Sequence, residues 1–545
     1  MDAGDDLEKA VHAWLAHDPD PTTRAEIESL LAAHDLAALH ARFDERLVFG
    51  TAGLRGELGG GPNRMNRLVV RMAAQALMRH LLDHGTRHPS IVIGFDARRN
   101  SRVFARDSAA VIASLGGHAI ALDGPLPTPV LAFAVRRLAA DAGVMVTASQ
   151  NPRQDNGYKV YQADGAQVIP PVDSEIEQLM AHAQLPDIEI APPASGGRVE
   201  NYRNDIISEY LDAVLAGSLP DEGVSQLKVV YTPLHGVGRD TFARAAVRLG
   251  IAPIIVPSQA NPDPSFPTVS FPNPEEPGAL DAALALASER DADVVIANDP
   301  DADRLAVALP HNGTWRVLTG NEIGWLLASY RIKQTNGPRR LVVTTVVSSA
   351  LLSKLAAKAG VRCEETLTGF KWVVRPAIED PEAHFIFGYV EALGFAVNDI
   401  VRDKDGITAA ITFLEMMAAL RAGGVSLFDR LDELAQQFGR HISRQLSIRF
   451  DGAGAHARMT ERMQSLRSIP ITELAGQPVV SIVDYLTHEG RQRSDILLFD
   501  LADGGRVMLR PSGTEPKLKV YIEVIDPPND GVIDGLAEAV RGLLS

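Results

Sequence analysis

The chain has 545 residues, of which 46% are hydrophobic and 22% charged; this is ordinary globular usage, and the length suggests about three or four domains. The formal charge of −16, from 53 basic and 69 acidic side chains, disfavours nucleic acid or an anionic membrane as a partner, since phosphate-rich surfaces reward basic faces. A single cysteine, Cys363, excludes an internal disulfide and a multi-cysteine metal site. No apolar run approaches the ~18 residues of a transmembrane helix. The start, MDAGDDLEKA, is acidic where a signal peptide would be basic, so a soluble cytoplasmic protein is expected.

Residues 5–16 and 22–40 carry apolar positions at helical spacing, with Pro21, Thr22 and Thr23 as a start signal; they predict a helical N-terminal extension. Eight acidic and two basic side chains fall in residues 1–30, a local charge of −6. Three stretches then repeat one plan of strand, polar turn, amphipathic helix and strand. They are IVIGFDARRNS to HAIAL, LKVVYTPLHGVG to IAPIIVP, and RLVVTTVVSS to VRCEETL. Apolar runs without alternation indicate strands buried on both faces, and strands alternating with helices indicate βαβ units. From about residue 440 short strands dominate, with a closing helix near 531–544, which suggests a smaller α+β domain. The predicted fold is therefore α/β: three similar mixed/parallel-sheet α/β domains in series plus a smaller C-terminal α+β domain. The divisions fall at 1–205, 206–318, 319–440 and 441–545.

Four loops carry candidate chemistry. The first follows the apolar strand Val144-Met145-Val146 and reads Thr147-Ala148-Ser149-Gln150-Asn151-Pro152, with Asn156-Gly157 as a turn signal. In open α/β sheets ligands bind outside the carboxyl ends of strands; Ser149 is so placed, although a turn serine capping a helix is the alternative. The second is Asp299-Pro300-Asp301-Ala302-Asp303-Arg304. Three carboxylates at alternate positions repel unless neutralised, and an all-oxygen set suits Mg²⁺. A solvated acidic turn and a haloacid-type nucleophile motif are the alternatives; Arg304 and Pro310 rule out an EF-hand. The third, Arg510-Pro511-Ser512-Gly513-Thr514-Glu515-Pro516-Lys517, lies in a stretch, 506–519, of local charge +3. It suits a phosphate through backbone N–H groups, hydroxyls and an arginine fork, or is a basic hairpin. The fourth runs from Phe387 to Gly394, followed by Arg402-Asp403-Lys404-Asp405-Gly406; its Glu391 suits a sugar hydroxyl or a helix cap.

Together these loops resemble the phosphoglucomutase/phosphomannomutase family of α-D-phosphohexomutases, in order and across nearly the whole chain. The subgroup with a longer N-terminal segment, of phosphoglucomutases and phosphopentomutases, is the most similar. Phe49-Gly50-Thr51-Ala52-Gly53-Leu54-Arg55-Gly56, the stretch Gln154 to Tyr161, and Thr368-Gly369-Phe370-Lys371 also resemble that group's motifs. The resemblance implies four domains around one central cleft and a phosphoserine mutase, with glucose phosphate ahead of pentose or mannose phosphate. Ser149 would carry the phosphoryl group, and Ser149, Asp299, Asp301 and Asp303 would hold Mg²⁺. Arg55 and Arg304 would lie near the phosphoserine, with Lys404 as general base or acid. Gly369, Lys371 and Glu391 would contact substrate, and Arg510, Ser512, Gly513, Thr514 and Lys517 would grip the non-reacting phosphate. A sugar bisphosphate, glucose 1,6-bisphosphate, is the implied activator, the partner is a small sugar phosphate, and a monomer or homodimer is expected.

Two departures bear on specificity. Gln150 stands where the family's serine loop usually has His, and glutamine takes up no proton near neutrality. Val390 stands beside Glu391 where the subgroup commonly has a second glutamate, which removes an acceptor for vicinal hydroxyls. Two other readings follow: a paralogue that binds sugar phosphate without turnover, and a phosphatase using Asp299 or Asp301 as nucleophile.

Overall fold

In the computed structural model the described residues are 3–49, 53–183, 190–194, 196–216, 223–450, 454–489, 493–512 and 517–544. The chain packs as two units, one of Met1–Leu318 with Gly394–Ala419, the other of Thr319–Leu393 with Leu420–Ser545.

The first unit begins with three short helices, Ala3–His17, Pro21–Ala32 and Leu36–Phe43. The continuous helix expected over 22–40 is broken. His34 turns left-handed at φ +50°, and Asp35 then caps the next helix by accepting from Ala38 N. Asp20 caps the second helix, with Pro21 in its first turn, as the start signal predicted.

A six-stranded sheet follows. Its strands Ser90–Phe95, His118–Ala121, Ala142–Val146 and Arg198–Asn201 are parallel, while Asp155–Gln162 and Leu54–Glu57 add antiparallel on one side. The helices Arg67–Asp83 and Ser101–Ser114 contribute to its apolar core with Leu68, Val69, Phe104 and Ile112. Asn66 starts the first of these by accepting from Val69 N, satisfying an otherwise orphaned donor. A second, five-stranded sheet repeats the plan. Val229–Thr232 pairs parallel with Ile254–Ile255 and Val294–Ala297, and Ala306–His311 and Thr314–Val317 add antiparallel. In both sheets the chemistry-bearing loop leaves the carboxyl end of a parallel strand and returns as its antiparallel neighbour.

Asn156-Gly157 is therefore not a turn, as the sequence suggested, but lies within the strand Asp155–Gln162. Asn156 is buried and donates to Arg99 O and Ser101 Oγ. A Cβ on Gly157 would sit 2.6 Å from Thr147 O and 2.7 Å from Leu54 O, so close backbone approach explains the glycine.

In the second unit, Arg340–Thr345 pairs parallel with Arg362–Thr366 and His384–Val390, and the helices Gly320–Gln334, Leu351–Lys358 and Leu427–Phe438 share an apolar cluster of Trp325, Leu351, Leu355 and Leu434. Capping boxes at Thr319/Glu322 and Ser426/Asp429 set two of their starts. The last sheet is antiparallel, from His441–Arg449 through Lys517–Ile525, Arg506–Pro511 and Leu497–Leu501 to Gln477–Asp484. The helices Ala455–Ser468 and Gly531–Leu544 share its core. No single helix among the described residues is long and apolar enough to cross a membrane.

Candidate active site

Ser149 and the three aspartates meet within the first unit. The strand Ala142–Val146 delivers Ser149, and Val294–Ala297 delivers Asp299, Asp301 and Asp303. Ser149 Oγ donates to Asp299 Oδ2 at 2.8 Å. Ser149 is 2% exposed and adopts φ +51°, a conformation worth about 1–3 kcal/mol of strain when surroundings enforce it. Arg98 enforces it: its guanidinium donates to the carbonyls of Ser149, Asn151, Pro152 and Asp155 at 2.6, 2.5, 2.8 and 3.1 Å. Asp96 orients the assembly by accepting from Thr147 Oγ1, Ser101 Oγ and Arg98 N. No helix begins at this loop, which leads into the strand Asp155–Gln162, so Ser149 does not cap one.

All three aspartates are fully buried, so they do not form a solvated turn. One carboxylate oxygen from each lies within 4.8 Å of the others. Asp301 Oδ1 and Asp303 Oδ1 are buried and accept no hydrogen bond. Buried acceptors of this kind are rare and costly unless a ligand completes them; an all-oxygen, anionic set fits a hard divalent cation. Burial, then the charges of Asp301 and Asp303, push the Asp299 carboxyl well above its ordinary range. Burial pushes Asp301 the same way, but Lys159 and Thr128 outweigh it and hold Asp301 well below.

Lys159 is the residue that sequence reading passed over. It is 1% exposed, with Nζ 2.7 Å from Asp301 Oδ2 and 2.9 Å from Asp303 Oδ2. Burial opposes its charge, yet Asp301 and Asp303 prevail and hold it protonated above the ordinary lysine range. The available signal was a lysine inside the otherwise apolar strand Tyr158-Lys159-Val160-Tyr161, where only a paired charge is tolerated. Thr128 was also missed; it donates to Asp301 Oδ2 at 2.6 Å.

Lys404 belongs to the same cluster. Its Nζ lies 3.1 Å from Asp303 Oδ2 and 3.5 Å from Asp403 Oδ1, so it shares one carboxylate oxygen with Lys159 and is not a solvated surface lysine. Arg304 N donates to Asp299 Oδ1, and its side chain meets Glu275 at 3.2 Å. Arg55 donates to Asn151 Oδ1 at 3.3 Å. Unit one thus gathers Ser149, the Asp trio, Arg55, Arg304 and Lys404. Of the opening motif, residues 50–52 lie outside the described residues.

In the second unit, Glu391 follows the strand His384–Val390, and its Oε2 accepts from Ser348 Oγ at 3.1 Å. Its carboxylate is held by a serine and does not serve as a helix cap. Val390 is buried. Gly369 has φ +119°, a region that suits glycine, and leads into the short helix Phe370–Val373. Lys371 is buried, its Nζ 5.9 Å from the centre of the Trp372 ring. Arg510 and Lys517 stand on the antiparallel strands Arg506–Pro511 and Lys517–Ile525, joined by Ser512 N donating to Lys517 O at 2.8 Å. Gly513 and Thr514 lie outside the described residues. Arg506, counted in the basic stretch, is committed to structure: its Nε donates to Glu523 Oε2 at 2.8 Å.

Four family models match in chain order: the three α/β/α domains of phosphoglucomutase/phosphomannomutase at residues 46–187, 208–313 and 319–438, and the C-terminal domain at 473–538. The chain belongs to the phosphoglucomutase/phosphomannomutase family. A Haemophilus influenzae relative named as a probable phosphomannomutase is 42% identical, over 88% of this chain and 98% of its own. A human phosphopentomutase is 34% identical over 99% and 95%. A Thermus thermophilus structure, described as a candidate phosphomannomutase, matches with a TM-score of 0.71 at 26% identity, covering 92% of this chain and 99% of that one.

Within this phosphohexomutase family member, Gln150 takes the place of the serine loop's usual His. Its Oε1 is buried and accepts no hydrogen bond, leaving an open acceptor one residue from Ser149. A second network underlies Glu391. Glu523, 3% exposed, accepts from Ala350 N at 3.1 Å, from Arg506, from Ser349 Oγ and from His441 Nδ1 at 2.8 Å, while Arg506 also binds Ser348 O. Burial alone would raise the Glu523 carboxyl, but the His441 hydrogen bond and the Arg506 charge hold it at about 2. A depressed carboxyl contributes stability above its unfolded pKa and loses it as pH falls through the folded one. The stability gap between wild type and Glu523→Gln is therefore expected to be full above about pH 4.5 and to close towards about pH 2. Urea midpoints measured across that window test this; a gap unchanged on acidification would contradict it.

Proposed function

We propose that this family member is a phosphosugar mutase that moves a phosphoryl group between the 1- and 6-positions of a hexose, glucose phosphate foremost, through phosphoserine at Ser149. The observation that carries the reading is Ser149 Oγ held 2.8 Å from Asp299 amid three buried carboxylates. Asp299, Asp301, Asp303 and Ser149 would hold Mg²⁺, which would neutralise charge on the phosphoryl oxygens when bound. The donors fit that ion, since two of the buried oxygens otherwise lack a partner.

The remaining work falls to the chain's own side chains. The bond from phosphorus to Ser149 Oγ breaks as one to the free sugar hydroxyl forms, giving a bisphosphate. In the second half, the other phosphoryl group returns to Ser149 Oγ. Lys404 is assigned the proton exchange at the sugar hydroxyl, as general base in its neutral form or general acid in its charged form, a role Gln150 has no basicity to fill. Arg55 and Arg304 offer guanidinium forks for phosphoryl oxygens, and Arg98 holds the serine loop in its strained form. Positioning and charge neutralisation supply most of the rate in such transfers. Glu391, Lys371 and Gly369 are assigned to the sugar, and Arg510, Ser512, Gly513, Thr514 and Lys517 to the phosphate that stays. Glucose 1,6-bisphosphate would prime the serine.

Val390 favours a second reading, a phosphopentomutase of the same mechanism, because the lost carboxylate removes one acceptor for a hexose hydroxyl. Rates on glucose, mannose and ribose phosphates, measured side by side, decide between them. In the hexose reading glucose 1-phosphate has the highest kcat/KM, and Val390→Glu raises it further by up to about tenfold, the worth of one added hydrogen bond to substrate. A ribose preference that Val390→Glu erodes would establish the pentose reading. Inorganic phosphate release that persists in Ser149→Ala would point instead to a phosphatase.

A further inference from the structure

A second group of side chains of metal-ligating type lies where two helices of the first unit pack against each other. His80 stands in the last turn of the helix Arg67–Asp83, His84 is the residue that ends it, and Glu175 stands on the helix Val172–Ala181. The i,i+4 spacing places both imidazoles on one face, with ring centres 4.3 Å apart. His80 Nδ1 lies 3.1 Å and His84 Nε2 3.5 Å from the same carboxylate oxygen, Glu175 Oε2. The three donor atoms all lie within 4.8 Å of one another.

Two details indicate that these atoms are arranged as ligands. His84 Nδ1 is 2.8 Å from His80 O; a carbonyl only accepts, so Nδ1 carries a hydrogen and Nε2 is the nitrogen that faces Glu175. Such a backbone contact to the far nitrogen is how metal-bound histidines are usually oriented. His80, at 8% exposure, has a buried Nδ1 that makes no hydrogen bond despite its proximity to Glu175. A buried nitrogen at ion-pair distance from a carboxylate oxygen but out of line for a hydrogen bond to it, with a second imidazole facing the same oxygen, is an arrangement a cation completes.

We propose that His80, His84 and Glu175 form a binding site for a divalent transition-metal ion of the zinc class, separate from the aspartate trio. Tetrahedral coordination with metal–ligand bonds of about 2.0–2.1 Å places donor atoms about 3.3 Å apart, and the two observed separations lie either side of that value. Two imidazoles and one carboxylate select Zn²⁺ or its neighbours over Mg²⁺, which prefers oxygen. The side chains of His84 and Glu175 are partly exposed, which leaves a path for the ion and room for water as fourth ligand. A bound ion would clip the two helices together, stabilising the domain that carries Ser149 without taking part in phosphoryl transfer.

The test uses the untagged full-length protein, stripped with a chelator and kept in excess Mg²⁺ so that the aspartate trio is saturated. Zn²⁺ is titrated calorimetrically into wild type, His84→Ala and Glu175→Gln, and melting temperatures are read with and without Zn²⁺. Wild type is expected to take up one Zn²⁺ equivalent and to melt higher with it, and both variants to lose that equivalent and that rise. His84 is largely exposed, so its variant retains the fold; its melting temperature without Zn²⁺ checks this. Co²⁺ substituted at the site should give visible absorption typical of imidazole ligation, absent in His84→Ala. Zn²⁺ uptake of equal stoichiometry and affinity in His84→Ala, or no uptake by wild type in excess Mg²⁺, would overturn the proposal.

Discussion

Replacing Ser149 with alanine is expected to lower sugar-phosphate turnover by roughly 10⁴-fold or more, the scale on which an enzyme loses its nucleophile, and to leave the fold intact. The hydroxyl makes one hydrogen bond, to Asp299 Oδ2. The backbone of residue 149 keeps its own contacts, its N–H donating to Thr147 Oγ1 and its carbonyl accepting from Arg98. Alanine at φ +51° is no more strained than serine there. Intact-mass measurement after incubation with glucose 1,6-bisphosphate should find one added phosphoryl group on wild type, located to the peptide containing Ser149, and none on Ser149→Ala. A variant that retains more than a small fraction of wild-type turnover would remove Ser149 from the mechanism.

Replacing Lys159 with methionine is expected to destabilise the protein by about 3–5 kcal/mol, the usual cost of deleting one partner of a buried ion pair. Methionine fills similar space, but Asp301 Oδ2 and Asp303 Oδ2 lose a cation at 2.7 and 2.9 Å, and a buried carboxylate has no water to replace it. Lys404 still reaches Asp303, which leaves Asp301 the more exposed to the loss. Because binding to the native state stabilises by mass action, Mg²⁺ should raise the melting temperature of Lys159→Met more than that of wild type. Calorimetric melts of both proteins with chelator and with Mg²⁺ check the prediction. Equal melting temperatures in chelator would mean that Lys159 does not balance the trio.

Much of the candidate site was legible because its residue types are costly in the positions they occupy. Three aspartates at alternate positions after an apolar strand require a countercharge, and a polar loop at a strand's carboxyl end is where α/β sheets bind ligands. The repeated strand–helix–strand plan followed from apolar periodicity, and the strands Ser90–Phe95, Val229–Thr232 and Arg340–Thr345 begin its three copies. Local signals failed where a distant partner decided the outcome. Asn156-Gly157 has the composition of a turn yet lies within a strand, because it pairs with the distant Arg55 and Gly56, and the carbonyls of Thr147 and Leu54 leave no room for a Cβ at 157. At 22–40 the helical periodicity was overridden locally instead, by the left-handed His34 and the Asp35 cap on Ala38 N.

The order of the loops, the α/β class and the residue types that suit phosphoryl chemistry depend on neighbours a few positions apart, and so could be read from the residues alone. Which charges meet is settled by packing in three dimensions. Asp301 and Lys159 are far apart in the chain but 2.7 Å apart in space; Arg506, basic in composition, is committed to Glu523; and His80, His84 and Glu175 converge only once two helices pack. The physical reason is that electrostatic and ligand interactions act over a few ångströms in space, whereas periodicity records only which face of an element is buried.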